Sequence, residues 1–237
     1  MYQFEVVFKP KDKHVKVRLI SHSSVTSQNK DTYFTKISAK DREKVKKWLL
    51  ENQKGNTKLE EGFLAILEEA IQVVDYDYWI ASLEPSESDG KIYYAEGHTA
   101  AVGFSNKEWA HMAKKYAPER GSRLSTLYEL LIWYALRIVN GLWTLYYVDK
   151  DSSSAGNYWN APKSSKEREK TGARKCGGYA DGQGNTYKIV THEKGFVHVG
   201  GAYNFDGREC PVDEIHYEKH QHNNIRNQGT GVLVLTK

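Results

Sequence analysis

Phe196-Val197-His198-Val199 runs into Gly200-Gly201-Ala202-Tyr203, and the chain later closes on Gly231-Val232-Leu233-Val234-Leu235. The first run alternates like a half-buried strand, and the last is apolar throughout, as a fully buried strand is. Between Gly200 and Gly231 the residues are mostly Asn, Asp, His, Tyr, Glu and Arg, with few apolar ones. So long a polar connection between two core strands is more often a functional segment than a mere link. The pattern predicts a scaffold that displays its C-terminal segment as a binding surface.

Upstream, Tyr187 to Val190 and Phe196 to Val199 read as a hairpin across Glu193-Lys194-Gly195, with Gly195 suited to a left-handed turn position. Leu142 to Val148 reads as a strand, and Asp149 to Thr186 as a long irregular region. Two capping boxes, Ser105-x-x-Glu108 and Thr126-x-x-Glu129, open helices. The second helix is apolar on nearly all sides and ends at Asn140-Gly141, so it must sit at the centre of the fold. Tyr76 to Leu83, Lys91 to Ala95 and Thr99 to Phe104 are further strand candidates. Residues 1–74 read as a small β-β-α-α module. Phe4–Phe8 and Val15–Leu19 are its strands; its helices are one capped near Ser38, bearing Val45, Trp48 and Leu49, and one opened by Thr57-x-x-Glu60. The expected division is therefore 1–74 and 75–237, in an α+β, loop-rich architecture.

The formal charge of +4 over 237 residues, with both signs interspersed, suits a solvated surface and not a nucleic-acid footprint. Leu124 to Val148 is long and apolar, but Glu129, Arg137 and Asn140-Gly141 interrupt it, which argues against membrane insertion. No signal peptide is expected from the first residues, so the predicted address is cytoplasmic or virion-associated, with export by another route as the alternative. Cys176 and Cys210 are too few for a disulfide scaffold, and whether they pair is open.

Five spaced segments resemble the superfamily that joins formylglycine-generating enzymes (sulfatase-modifying factors) to C-type-lectin-fold variable proteins. They are Gly103-Phe104-Ser105-x-x-Glu108-Trp109; Gly121-Ser122-Arg123-Leu124-Ser125-Thr126-x-x-Glu129, with Ser125 where proline is usual; Gly178 to Tyr187; Gly200-Gly201-Ala202-Tyr203; and Asn224 to Val234. The resemblance spans residues 75–237 and leaves 1–74 unmatched. It implies a C-type-lectin-like, formylglycine-generating-enzyme-type domain after the N-terminal module. It is most similar to the variable ligand-binding proteins of diversity-generating retroelements in phages and bacteria.

In the enzymatic branch of that superfamily, two cysteines after the glycine pair hold copper(I). The corresponding positions here are Phe205 and Cys210, so one thiolate is replaced by an apolar ring. The expectation is a non-catalytic protein with no cofactor and no metal. His216-x3-His220-x-His222 has metal-ligand spacing but no clear carboxylate or cysteine partners, and reads as solvated histidines. The candidate ligand-binding residues are Tyr203, Asn204, Phe205, Asp206, His216, Tyr217, His220, His222, Asn223, Asn224 and Asn227. Rings supply contact area at low entropy cost, and amides supply adaptable hydrogen bonds. The resemblance also makes this stretch the diversified surface, directed at a protein or a glycan. Tyr158 and Trp159 are secondary candidates. The alternatives are a copper- or other metal-dependent oxidase and a structural phage or assembly component.

Overall fold

Helix α4 (Leu127–Val139) is buried along almost its whole length, with Leu130 through Arg137 all shielded from solvent. Each fully buried large aliphatic side chain contributes about 1.5–3 kcal/mol, so this one helix anchors a large share of the core. It starts as its capping box predicts: Thr126 Oγ1 accepts from the Glu129 N–H at 3.2 Å, and Glu129 Oε2 accepts from the Thr126 N–H at 2.7 Å. The computed structural model describes residues 2–8, 15–21, 33–52, 61–94, 100–140, 143–147, 187–193, 195–199, 216–217 and 229–237. Among these residues the architecture is mixed α and β, with four α-helices and several small sheets.

Two four-stranded sheets carry the core. The first runs β3 (Phe34–Ile37), β4 (Tyr78–Ala81), β13 (Leu233–Leu235), β7 (Arg123–Leu124), antiparallel throughout. The second runs β11 (His216–Tyr217), β10 (Gly195–Val199), β9 (Tyr187–His192), β12 (Gly229–Gly231), with β12 parallel to β9. Side chains alternate between the faces of a strand, and here both faces are covered. Ile80, Val190, Val197 and Val234 face one cluster with α1 (Ala39–Asn52), α2 (Glu61–Val73) and α4. Their neighbours Ala81, Ile189 and Leu233 face a second cluster with α3 (Asn106–Tyr116). A smaller hairpin, β5 (Ser86–Ser88) and β6 (Lys91–Tyr93), contributes Ile92 to that second cluster.

Val232 joins the two sheets. Its N–H donates to the Ile189 carbonyl at 3.1 Å, and its own carbonyl accepts from the Ser125 N–H at 2.7 Å. A proline at position 125 would have no N–H to give, so the Ser125 backbone makes a contact that proline there could not make. Just before this junction Gly231 is packed so closely that an added Cβ would lie 2.8 Å from both Leu124 Cδ2 and Trp109 Cε3.

The strands expected near residues 4–8 and 15–19 are β1 (Tyr2–Phe8) and β2 (Val15–Ser21), which form a three-stranded sheet with β8 (Trp143–Tyr147). Described residues on either side of position 74 pack together. β2 pairs with β8, β3 pairs with β4, and Val45, Leu49, Leu64 and Leu67 share one cluster with α4. Two short amphipathic helices cannot cover each other's apolar faces fully, and the central helix completes that burial.

Three local expectations need correction. Phe34–Ile37, to which the β-β-α-α reading assigns no element, is strand β3. Ala100–Phe104 does not form the expected strand: the Ala101 N–H donates to the Pro85 carbonyl, its carbonyl accepts from Thr230, and Gly103 sits at φ +84°. In the β9–β10 hairpin Gly195 is a strand residue paired with His192, and Glu193 takes the left-handed conformation at φ +50°. The Thr57-x-x-Glu60 box, Asp149–Thr186 and Gly200-Gly201 lie outside the described residues.

Candidate ligand-binding site

The register of the second sheet brings three chain ends together. Tyr187, where residues 148–186 end, is paired with Gly229, where residues 218–228 end. Lys188 is paired with Val199, after which residues 200–215 begin. The segments that carry the predicted contact residues are therefore attached side by side at one end of β9, β10 and β12.

Of the predicted residues, only His216 and Tyr217 are described. Their backbone forms the outer strand β11, with His216 opposite His198 and Tyr217 opposite Val197. Tyr203, Asn204, Phe205, Asp206, His220, His222, Asn223, Asn224 and Asn227 lie outside the described residues, as do Tyr158, Trp159, Cys176 and Cys210.

Beneath this end sits a layer of buried polar groups. Lys188 Nζ pairs with Glu84 Oε1, and both side chains are 1 % exposed. Tyr134 on α4 lies in the same region; burial first, and the Glu84 charge second, push its phenol well above the usual range and keep it neutral. His198 Nε2–H donates to Asn106 Oδ1 at 3.1 Å, tying β10 to the first residue of α3. Trp109 Nε1–H donates to the Gly229 carbonyl at 3.1 Å, and Thr230 Oγ1 to the Ala101 carbonyl at 2.9 Å. Every one of these contacts fixes a residue that borders the chain ends described above. Their burial makes them supports for a surface and not the surface itself.

The opposite end of β9 is closed by a different network. Thr191 N–H donates to the Ser125 carbonyl beside the α4 cap. Glu129, fully buried, accepts both arms of the Arg123 guanidinium, Nη1 to Oε2 at 2.8 Å and Nη2 to Oε1 at 2.6 Å. Tyr76 adds its hydroxyl to Oε1 at 2.9 Å, and Tyr78 Oη–H donates to the Glu129 backbone carbonyl at 2.7 Å. Burial and, next, the Glu129 charge push the Tyr76 phenol up to about 12. With a bidentate guanidinium, a tyrosine and two cap donors on one carboxylate, Glu129 ties Arg123, Tyr76 and the α4 cap together.

Among the described residues no group of three or more His, Cys, Asp or Glu side chains is arranged to hold a metal ion. No helix among them is long and apolar enough to cross a membrane. No family model, no curated protein and no solved structure matches this chain.

Sequence reasoning missed Glu84, Lys188, His198 and Asn106. Lys188 stands in the alternating run Tyr187-Lys188-Ile189-Val190, where a lysine reads as the solvent-facing member. Asn106 follows the capping serine and looks like an ordinary first-turn residue. The only cue was Glu84 before Pro85, in a loop that otherwise reads as a turn.

Proposed function

We propose that the chain is a non-catalytic ligand-binding protein whose contact surface is carried by residues 200–228, on a C-type-lectin-like scaffold of the formylglycine-generating-enzyme type. The observation that carries this reading is the pairing of Tyr187 with Gly229 and of Lys188 with Val199, which puts the strand residues bordering the ring- and amide-rich segments at one braced sheet end. A rigid base beneath the contact residues is an arrangement recognition proteins use, because a scaffold that is already ordered lowers the cost of binding. The lectin-like reading is further supported by β4 and β13 as antiparallel neighbours in one sheet, with both boxed helices between them in sequence. The ligand class is a protein or a glycan, and the surface is of the kind diversified by retroelements.

The test is a glycan array and a protein-binding assay on the intact chain and on the variant with Tyr203, Phe205, Tyr217 and His220 all changed to Ala. The variant should lose the wild-type signals while keeping its melting temperature within a few degrees, since surface substitutions each shift stability by about 0.5 kcal/mol or less. A collapse of the melting temperature would make these residues core and end the reading. Diversification is checked separately in the adjacent DNA, which should hold a reverse-transcriptase gene and a near-copy of the 3′ coding end differing at adenines.

A further inference from the structure

Helix α3 packs on the second cluster through Trp109, Met112 and Ala113. On its outer side Lys107, His111, Lys114 and Lys115 are exposed. The last three follow Lys107 by 4, 7 and 8 positions, a spacing that keeps all four on one helical face. The one acid of the helix is Glu108, whose Oε2 accepts from the Ser105 N–H at 2.8 Å and from Ser105 Oγ at 2.9 Å. Glu119 and Arg120, in the short turn Pro118–Arg120 that follows, cancel in charge. Among the described residues no carboxylate forms an ion pair with Lys107, Lys114 or Lys115.

The opposite sign stands on the opposite side of the sheets. Helix α2 turns Leu64, Leu67 and Ala70 to the first cluster, across the sheets from α3. It contains no basic residue; Glu68 and Glu69 are exposed on its outer side, and Asp75 is exposed just past its end. Val73, 55 % exposed, adds an apolar contact point to the same helix. Helix α1 shows the ordinary alternative, a face that neutralises itself. There Lys44 pairs with Asp41, Lys46 with Glu43 and Lys47 with Glu51, all within one helical turn. The α3 face has no such answer within its own helix.

We propose that the α3 face docks the α2 face of a second copy of this chain, in a head-to-tail contact. One chain cannot close the two faces on each other, because the sheets lie between them. Complementary charge sets orientation and speeds encounter, while each exposed ion pair adds little by itself. The association is therefore reversible and salt-sensitive. The contact joins two different patches, so it builds rings or open chains and not a two-fold dimer. Such an assembly sets many copies of the proposed recognition surface side by side, and it does not depend on what that surface recognises.

The experiment is sedimentation velocity on the full chain. At about 0.3 mM, wild type should show species larger than a monomer in about 0.05 M salt and monomer alone in about 0.5 M salt. Lys107→Glu, Lys114→Glu and Lys115→Glu together should leave the chain monomeric in both, with its melting temperature within a few degrees. Glu68→Lys with Asp75→Lys should do the same; Glu69 is kept because it accepts from the Tyr128 hydroxyl. An equal mixture of the two variants should associate again, since each then offers the face that the other needs. If the α2 variant loses its fold, wild type and the α3 variant decide alone. A wild type that stays monomeric at low salt overturns the proposal, and one that does so while binding heparin through α3 assigns the face to another polyanion. Association that survives in the α3 variant overturns it too, as does a mixture of folded variants that stays monomeric.

Discussion

The two ends of β9 are braced by polar networks of different origin. At the Thr191 end the network is mostly local: Glu129 meets Thr126 three residues away and Arg123 six residues away, and a capping box with its flanking arginine writes most of the site. At the Lys188 end every brace is long-range, with Lys188 and Glu84 separated by 104 positions, His198 and Asn106 by 92, and Thr230 and Ala101 by 129. The first end holds the fold closed. The second holds the positions from which the polar, ring-bearing segments depart. Contacts close in sequence brace the first end, and contacts distant in sequence brace the second.

The largest effect should come from Glu129→Gln. Removing the charge leaves the Arg123 guanidinium, 32 % exposed, without its carboxylate partner and turns an amide NH2 towards donors that an oxygen accepted from, and we expect a loss of about 3–5 kcal/mol in urea unfolding. A loss below about 1 kcal/mol would erase the contrast between the two ends. Next, Lys188→Met alone should cost about 3–5 kcal/mol, because it removes one partner of a fully buried ion pair. Combined with Glu84→Leu the cost should fall to about 1 kcal/mol or less, since a buried pair replaced whole by apolar groups is often neutral. If single and double variants are equally unstable, the pair matters as packing and not as charge.

The smallest effect concerns alkaline pH. Tyr76 has its phenol raised from 10.0 to about 12, so the folded state favours the protonated form. Its contribution is fully present below pH 10 and is lost as the pH rises towards 12. Tyr76→Phe should flatten part of the alkaline limb of a stability–pH curve and lower the neutral region evenly, through loss of the hydrogen bond to Glu129. Tyr78, Tyr94 and Tyr134 are raised too, so the limb should persist in reduced form.

This contrast also explains what was legible. Ser105-x-x-Glu108 and Thr126-x-x-Glu129 are capping boxes in fact, and the all-round apolar pattern of α4 does mark the central helix. Both signals are written within one helical turn or one helix. Phe34–Ile37 escapes a sequence reading because four residues are too few for a period, and pairing with β4 supplies the rest of the strand's stability. Lys188 escapes because alternation says only that neighbours face opposite ways. It does not say that both sides are covered, as they are here by α4 and by α3. The contact residues rest on composition and a resemblance alone, and most of them lie outside the described residues.

The place of β13 has a consequence for how the chain reaches this structure. Its Val234 pairs with Ile80, about 150 positions earlier, and its Leu233 pairs with Leu124, so the first sheet lacks a central strand until β13 is in place. Until then β4 and β7 have no common partner, and the apolar faces meant for Val232 to Leu235 stay wet. Such a chain should fold slowly, limited by a late long-range closure, and during synthesis it should lean on holding chaperones longer than a protein that zips from its N-terminus.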